Sequence, residues 1–400
     1  MTVPAKAPTQ PARADVASGV RTSAKLPIDS VRRISVAVDR ASGDLRRGLP
    51  VLLSAGGPEH ETGWLVLAAE TASDFEVERM HRLTGELPVL AVPRERAQRL
   101  GLPAGPGPLA LMRVADALSA EDIRRFADPT MPPPAGARPT GSGTMPDAAT
   151  VDASVELAKL ARLLPSVVMG PLRGRGPGAM RALAQSEELL TVSVAEIAAY
   201  PSAAARTLTR VGEALVPLVG AENCRIVAFR PGDGSVEHLA ILVGAPAPAT
   251  PVLTRVHSEC FTGDLLGSLR CDCGDQLVSA LEAIGKAGSG VLLYLAQEGR
   301  GIGLVNKLRA YGLQDRGADT IEANHQLGFA ADERIYEPAA AMLRQLGFGS
   351  VRLLTNNPAK VEALMRAGIR VDARVPLVIE PNRFNRRYMA AKAEKLGHMF

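Results

Sequence analysis

The run Arg255-Val-His-Ser-Glu-Cys260, followed by Cys271-Asp-Cys273, is the stretch from which this chain is best read. Its cysteines fall as Cys-x10-Cys-x-Cys, close enough in sequence for three thiols to meet one Zn²⁺. A structural zinc wants four protein ligands, and the only other cysteine of the chain is Cys224. A zinc with three protein ligands keeps a position for water and lowers the pKa of that water toward ~7. The spacing therefore predicts one hydrolytic Zn²⁺ per chain, on Cys260, Cys271 and Cys273. Three reduced structural cysteines are the other reading of the same spacing.

Working outward, Pro251–His257 reads as a strand that delivers Ser258-Glu-Cys260, and Asp275–Gly288 as a helix. In that helix Leu277, Leu281 and Ile284 recur at helical spacing, Gly288 ends it, and Gln276 falls one turn past Cys273. The apolar run Val291–Leu295 is a buried strand that empties into Glu298-Gly-Arg-Gly-Ile-Gly303, where backbone amides can approach an anion closely. A helix over Leu304–Gln314 carries Leu308 and Tyr311 on one face, and Pro338–Leu346 is another helix. Val351–Thr355 leads to Asn356-Asn-Pro358, a helix start with Asn at the N-cap and Pro in the first turn. Free amides there suit a phosphate, and Lys360, which opposes the helix dipole, fits a bound anion. Upstream, Arg225–Phe229 and His238–Val243 read as a hairpin about Pro231-Gly-Asp-Gly234. Pro376–Ile379 reads as the last strand, and Cys224 as a buried small apolar residue.

Several of these segments, in this order, resemble GTP cyclohydrolase II. They are Tyr294–Gly303, Asn306-Lys307, Tyr311, Asp319–His325, Ala331-Asp-Glu-Arg334 and Leu353–Lys360, and the likeness runs from about residue 206 to the C-terminus. The resemblance implies zinc-dependent opening of the guanine ring of GTP, with loss of formate and pyrophosphate, at the start of riboflavin synthesis. It implies GTP contacts from Arg255, Val256, His257, Ser258, Glu259 and Gln276, with Glu298 reading the guanine edge beside Gly299 and Arg300. Thr320, Thr355 and Lys360 match further GTP positions, and Mg²⁺ would accompany the triphosphate. Asp332 matches the family's proton acceptor, Arg334 its nucleophile toward the α-phosphate, and Tyr311 a tyrosine tied to ring opening. A guanidinium pKa above ~12 makes an arginine nucleophile unusual, so a charge-clamp role for Arg334 stands beside it. Family members are commonly homodimers.

Residues 26–205 alternate strands and helices: strands at Ile34–Val38, Pro50–Ser54, Gly63–Ala69 and Val89–Val92, helices at Asp39–Arg47, Glu76–Leu83 and Arg94–Leu100. A helix Ala153–Leu163, a strand near Ser166–Met169 and a helix before Leu190 follow. With Ala68-Ala-Glu-Thr71 and Arg96–Pro103, this order resembles dihydroxybutanone phosphate synthase, often fused ahead of GTP cyclohydrolase II. That family holds Mg²⁺ with a dense acidic loop and a His-Thr-Glu segment. Here the loop is Ser54–Trp64, with only Glu59 and Glu61 as acids beside His60, and Thr150-Val-Asp152 stands in place of the histidine segment. This half is therefore expected to fold without catalysing the synthase reaction. Arg173 and Arg175 read as solvated turn residues, and 129–149 as a flexible loop.

The expected fold class is α+β or α/β, in two domains, each a mixed β-sheet or small barrel with surrounding helices, 26–205 and 206–400, behind a disordered tail, 1–25. The tail lacks the apolar core of a signal peptide, and no apolar run approaches the ~18 residues of a membrane span. A net charge of +4 with no basic cluster interleaved with aromatics argues against a nucleic-acid face. Reduced cysteines point to the cytoplasm. A bifunctional enzyme and a non-catalytic nucleotide-binding regulator are the competing readings.

Overall fold

The computed structural model describes residues 26–56, 62–105, 107–114, 118–134, 144–172 and 176–386. The acidic-loop candidates Glu59, His60 and Glu61, the turn arginines Arg173 and Arg175, the tail 1–25 and part of the 129–149 loop lie outside the described residues.

The chain opens with α1 (Ile28–Arg46), β1 (Val51–Ala55), β2 (Thr62–Ala68), α2 (Asp74–Thr84), β3 (Val89–Pro93), α3 (Arg94–Arg99) and β4 (Leu109–Arg113). It continues with α4 (Ala120–Ala127), α5 (Ala148–Leu160), β5 (Val167–Leu172), α6 (Pro177–Ser186), β6 (Thr191–Ser193) and α7 (Val194–Arg206). The six strands form one mixed sheet in the order β4-β3-β5-β2-β1-β6, antiparallel except for the parallel pair β1–β6. Its strands are buried along nearly their whole length, as a sheet covered on both faces requires.

The expected strand Ile34–Val38 is instead the middle of α1. Its β-branched residues suggest a strand, but Val31, Ser35, Val38, Ser42 and Leu45 are buried at intervals of three and four, which is the period of a helix face. The expected helix Asp39–Arg47 is the end of that same helix. Helix α5 begins before Ala153, because Asp147 caps it by accepting from the Thr150 amide at 2.8 Å.

The second half carries β7 (Thr209–Leu215), β8 (Cys224–Arg230), β9 (His238–Val243), β10 (Val252–Ser258), α8 (Cys273–Lys286) and β11 (Gly290–Leu295). Then come α9 (Leu304–Asp315), α10 (Thr320–Leu327), α11 (Glu337–Gln345), β12 (Ser350–Leu354), α12 (Pro358–Arg366) and β13 (Arg370–Val375). These strands form a second mixed sheet, β13-β12-β10-β11-β9-β8-β7. The four strands β13, β12, β10 and β11 run parallel, and β9, β8 and β7 continue antiparallel. Both sheets take the mixed-sheet alternative of the expected fold class. Among the described residues the last strand is Arg370–Val375, not Pro376–Ile379: the edge of the sheet needs only backbone partners, so a polar, half-exposed segment serves.

The halves share an apolar core. Ile302, Ala310, Leu313, Ala323, Leu327 and Phe329 are buried in the same cluster as Leu65, Leu90, Val168 and Phe126 of the first sheet and its helices. Helices α9 and α10, which follow the glycine-rich loop, are therefore packed against the first half.

Candidate active site

Parallel strands align their carboxyl ends, and ligands of open α/β sheets bind where those ends meet. Here β10 ends at Ser258, β11 at Leu295 and β12 at Leu354, on adjacent strands of the parallel part. The segments leaving them converge on one hollow. From β10 it receives Arg255, His257, Ser258, Glu259 and Cys260; Cys271, Cys273 and Gln276 come from the loop and helix beyond. Glu298, Gly299 and Arg300 enter from the tip of β11, Tyr311 from α9, Thr320 from α10 and Arg334 from the next loop. Thr355 and Lys360 complete it from the tip of β12. Two expected residues do not line it. Val256 is buried in the core of the second sheet, contributing a carbonyl that accepts from Lys360 Nζ at 2.9 Å. Asp332 is paired with Arg334, which does line it.

The three thiols meet. All three sulfurs lie within 4.8 Å of one another, and Cys260 Sγ is 3.7 Å from Cys271 Sγ. Two thiolates ~2.3 Å from a tetrahedral ion stand about 3.8 Å apart, so the spacing fits zinc. Gly263 is part of that fit: a Cβ there would stand 2.9 Å from Cys271 Sγ, 2.9 Å from Cys273 Cβ and 3.0 Å from Cys260 Sγ. Its amide donates to Cys260 Sγ at 3.3 Å. Hydrogen bonds from the other two thiols, reinforced by Lys307, hold the Cys260 thiol far below its ordinary value, while sharing with that thiolate pushes Cys271 up to about 11 and Cys273 well above its ordinary value. Three crowded sulfurs, Cys260 and Cys271 buried and Cys273 half-buried, cannot all carry charge without a cation among them, which is what a divalent metal supplies. Among the described residues no fourth His, Cys, Asp or Glu joins the trio.

Sequence reasoning singled out the thiols but not what holds them. Asp264, inside the Cys-x10-Cys gap, accepts from the Cys260 amide at 2.9 Å, from Tyr294 OH at 2.9 Å and from His257 Nε2 at 3.1 Å. Burial pulls the His257 imidazole below its ordinary value despite Asp264, so it is neutral and donates through Nε2. Its Nδ1 is buried without a partner among the described residues. Lys307 Nζ donates to Cys260 Sγ at 3.0 Å, Thr262 Oγ1 at 2.7 Å and Glu298 Oε1 at 3.0 Å. Burial alone would lower the Lys307 pKa, but the Cys260 sulfur and neighbouring anions raise it, so the ammonium stays charged. The Asn306-Lys307 pair was the available signal, and only the position of Lys307 on the inner face of α9 gives it a role.

Glu298, 4% exposed, accepts from the Phe261 amide at 2.6 Å and the Gly299 amide at 2.8 Å as well as from Lys307. It therefore ties the cysteine loop to the tip of β11. Gly299 and Arg300 both adopt left-handed backbone, φ 64° and 63°. That conformation costs a non-glycine residue about 1–2 kcal/mol, and it turns the chain so that Glu333 N donates to Arg300 O at 3.1 Å.

Arg255 is fully buried, and burial pulls it down to about 10. It donates to Leu354 O at 2.9 Å and to Gln276, which in turn donates to Asp272. Thr355 Oγ1 accepts from the Asn357 amide at 3.0 Å, and Asn357 caps α12 as expected. Arg334 grips Asp332 with two nitrogens, Nε to Oδ1 at 2.8 Å and a terminal nitrogen to Oδ2 at 2.5 Å. Burial would raise the Asp332 carboxyl, but Arg334 holds it below its ordinary value. Tyr311 lies under the Arg270 guanidinium, 4.4 Å from its ring centre, and burial pushes its hydroxyl up to about 12. Cys224 is buried in the first strands of this sheet, away from the trio.

A family model described as GTP cyclohydrolase II matches residues 209–376. The GTP cyclohydrolase-2 of Azospirillum brasilense is 51% identical over 387 residues, spanning 94% of this chain and 97% of the relative. The riboflavin biosynthesis protein RibBA of a Synechocystis species is 38% identical over 402 residues, 90% of this chain and 71% of that protein. A GTP cyclohydrolase-2 of Shigella boydii is 55% identical over 192 residues, 48% of this chain and 97% of its own length. No described helix is long and apolar enough to cross a membrane.

Proposed function

This chain belongs to the GTP cyclohydrolase II family, and from that premise we propose that it hydrolyses GTP to a diaminopyrimidine, formate and pyrophosphate, the first step of riboflavin biosynthesis. One observation carries the reading: the three-thiol cluster has no fourth His, Cys, Asp or Glu among the described residues and opens into the hollow at the strand tips. Cys260, Cys271 and Cys273 would hold Zn²⁺, whose Lewis acidity makes water nucleophilic near neutral pH.

The chain's own residues do the rest. Lys307 and Asp264 fix the cysteine loop from two sides. Glu298 has three protein donors, and a carboxylate has about four acceptor sites, so capacity remains for the guanine N–H edge. Arg255 orients Gln276 toward the hollow, where His257, Ser258, Glu259, Gly299 and Thr320 would surround the nucleoside. Arg300, Thr355 and Lys360 would meet the phosphates, with Mg²⁺ carried in on the triphosphate itself. Tyr311, its hydroxyl protonated at neutral pH, would donate a proton during ring opening.

For Arg334 the geometry favours a charge clamp. An Asp332 carboxylate held below its ordinary value is a weak base, and taking a proton from a guanidinium of pKa above ~12 would cost on the order of 10 kcal/mol. The pair would present a fixed cation to the α-phosphate, and no guanylyl group would appear on the intact protein mass during turnover.

We place the domain boundary at 205/206, between the two sheets. The first domain we take to be inactive as a dihydroxybutanone phosphate synthase. Thr150, where that family needs a metal-binding segment, is fully buried in the first turn of α5. A homodimer in the cytoplasm completes the proposal, with light scattering as its check. The deciding assay incubates zinc-loaded protein with GTP and Mg²⁺, and separately with ribulose 5-phosphate. Formate in the first and no product in the second are expected; a zinc-replete protein that releases no formate defeats the proposal.

A further inference from the structure

The turn that ends α5, in the first half of the chain, reaches the loops that build the hollow in the second half. Lys159 Nζ pairs with Glu333 Oε1 at 2.8 Å and with Glu156 Oε2 at 3.4 Å. Glu333 sits between Asp332 and Arg334, its amide donates to Arg300 O, and its Oε1 also accepts from the Ala330 amide at 2.7 Å. Gly301 lets this loop come close: a Cβ there would stand 2.9 Å from Glu333 O. Three residues past Lys159, Arg162 is held in left-handed backbone at φ 60°. Its terminal nitrogen donates to Ala296 O at 3.3 Å, and its carbonyl accepts from Asn306 Nδ2 at 3.1 Å. A Cβ on Gly303, which sits at φ 86°, would lie 3.1 Å from the Arg162 Cβ, a tight contact on a backbone angle that favours glycine. A third clamp is Arg309 of α9, paired at 2.9 Å with both Glu70 and Asp128 of the first half, between Lys307 and Tyr311 in sequence.

We propose that the turn Lys159–Arg162 is a positioning element of the cyclohydrolase site: Lys159 sets the Asp332–Arg334 strip through Glu333, and Arg162 sets the glycine-rich loop. This rests on the proposed GTP hydrolysis and gives the first half a task within it. The matched family region, residues 209–376, includes neither Lys159 nor Arg162, so the contact is an addition to that region. The strain at Arg162 supports the assignment. A left-handed arginine is retained where its side chain and carbonyl each bridge to the other half, whereas glycine would relieve the strain and lose the side-chain bridge.

The test uses the full zinc-loaded chain carrying Lys159→Met, Lys159→Arg or Arg162→Gly. A misplacement of about an ångström costs up to ~100-fold in rate. Lys159→Met should lower kcat about tenfold with KM within about twofold, and Lys159→Arg should restore most of it. Arg162→Gly suits its backbone angle, so it should stay folded while losing rate. Amide hydrogen exchange is read in parallel: faster exchange across 330–336 in Lys159→Met and across 296–303 in Arg162→Gly, with β1 to β3 unchanged, supports the proposal. Unchanged exchange in those segments overturns it, as does a wild-type kcat in folded Lys159→Met. If the unaltered protein releases no formate, the proposed reaction fails, and the exchange measurement still decides this one.

Discussion

Both halves bury charged side chains, yet they bury them differently. In the first half Arg96 is spent on carbonyls: its nitrogens donate to Phe126, Arg125 and Asp128 oxygens at 2.9, 2.6 and 3.2 Å. Arg113 likewise donates to Leu87 O at 3.0 Å. These groups close off backbone that would otherwise be unsatisfied, and neither lines the hollow of the second half. In the second half Arg255, His257, Glu298, Lys307, Thr355 and Lys360 are as deeply buried, but they crowd the tips of three neighbouring strands and border one hollow. Buried charge scattered through a sheet is scaffold; buried charge gathered at parallel strand ends is a site.

The largest way to break that contrast is Cys271→Ser. Serine is a poor zinc ligand, so formate release should fall to background and zinc content per chain toward zero together. Retained metal with lost activity, read by mass spectrometry of the metal, would separate the thiol from the ion.

Next in size is Lys307→Met. It leaves Glu298, 4% exposed, without its cation, and stranding one partner of a buried pair costs about 3–5 kcal/mol. A denaturant midpoint should report that loss, together with weaker zinc retention, because Cys260 loses its donor as well.

A titration gives a somewhat smaller effect. His238 of β9 is buried, and its Nδ1 accepts from the Ala296 amide at 3.1 Å, just ahead of Glu298. Burial pushes its pKa down to about 4 from an ordinary 6.5. Between those values the unfolded chain holds a proton that the folded chain does not, so stability must fall as pH drops through that window. The limit is roughly 3 kcal/mol. His238→Gln keeps an acceptor without the titration and should flatten the pH 4 to 6.5 part of the stability curve, measured by urea melts. His81, exposed on α2, gives the control substitution.

How much of this could be read from residues alone follows from range. The thiol trio was legible because its cysteines fall within fourteen positions, Cys260 to Cys273, and the strand–loop–helix units around it carry local signals. Asp264 was not, because a carboxylate in the short helical turn Phe261–Leu265 shows nothing in sequence of the three donors that fold around it. Val256 was expected among the GTP contacts, but alternation along β10 turns its side chain to the core while Arg255 and His257 face the hollow. Helix α1 was misread because five apolar and small residues, Ile34–Val38, suit a strand as well as a helix until their burial is known. The Lys159–Glu333 pair joins residues 174 positions apart, numbers 159 and 333, and no local pattern announces it.

The smallest effect gives the finest test of the contrast, because it compares one atom in two settings. Gly178 lies in α6 of the first half, and a Cβ there would meet nothing within 4 Å. Alanine should therefore stabilise the protein by about 0.5–1 kcal/mol, since glycine gives up more backbone freedom in a helix, and formate release should not change. The same added carbon at Gly263 would stand against all three clustered cysteines, none of which can yield without moving the cluster. A gain at Gly178 with metal loss at Gly263 would show that the second half is shaped to the atom around its thiols, as the first half is not. If Gly263→Ala kept its zinc, the cluster would have slack, and the close approach of the loop would not be what sets the sulfurs.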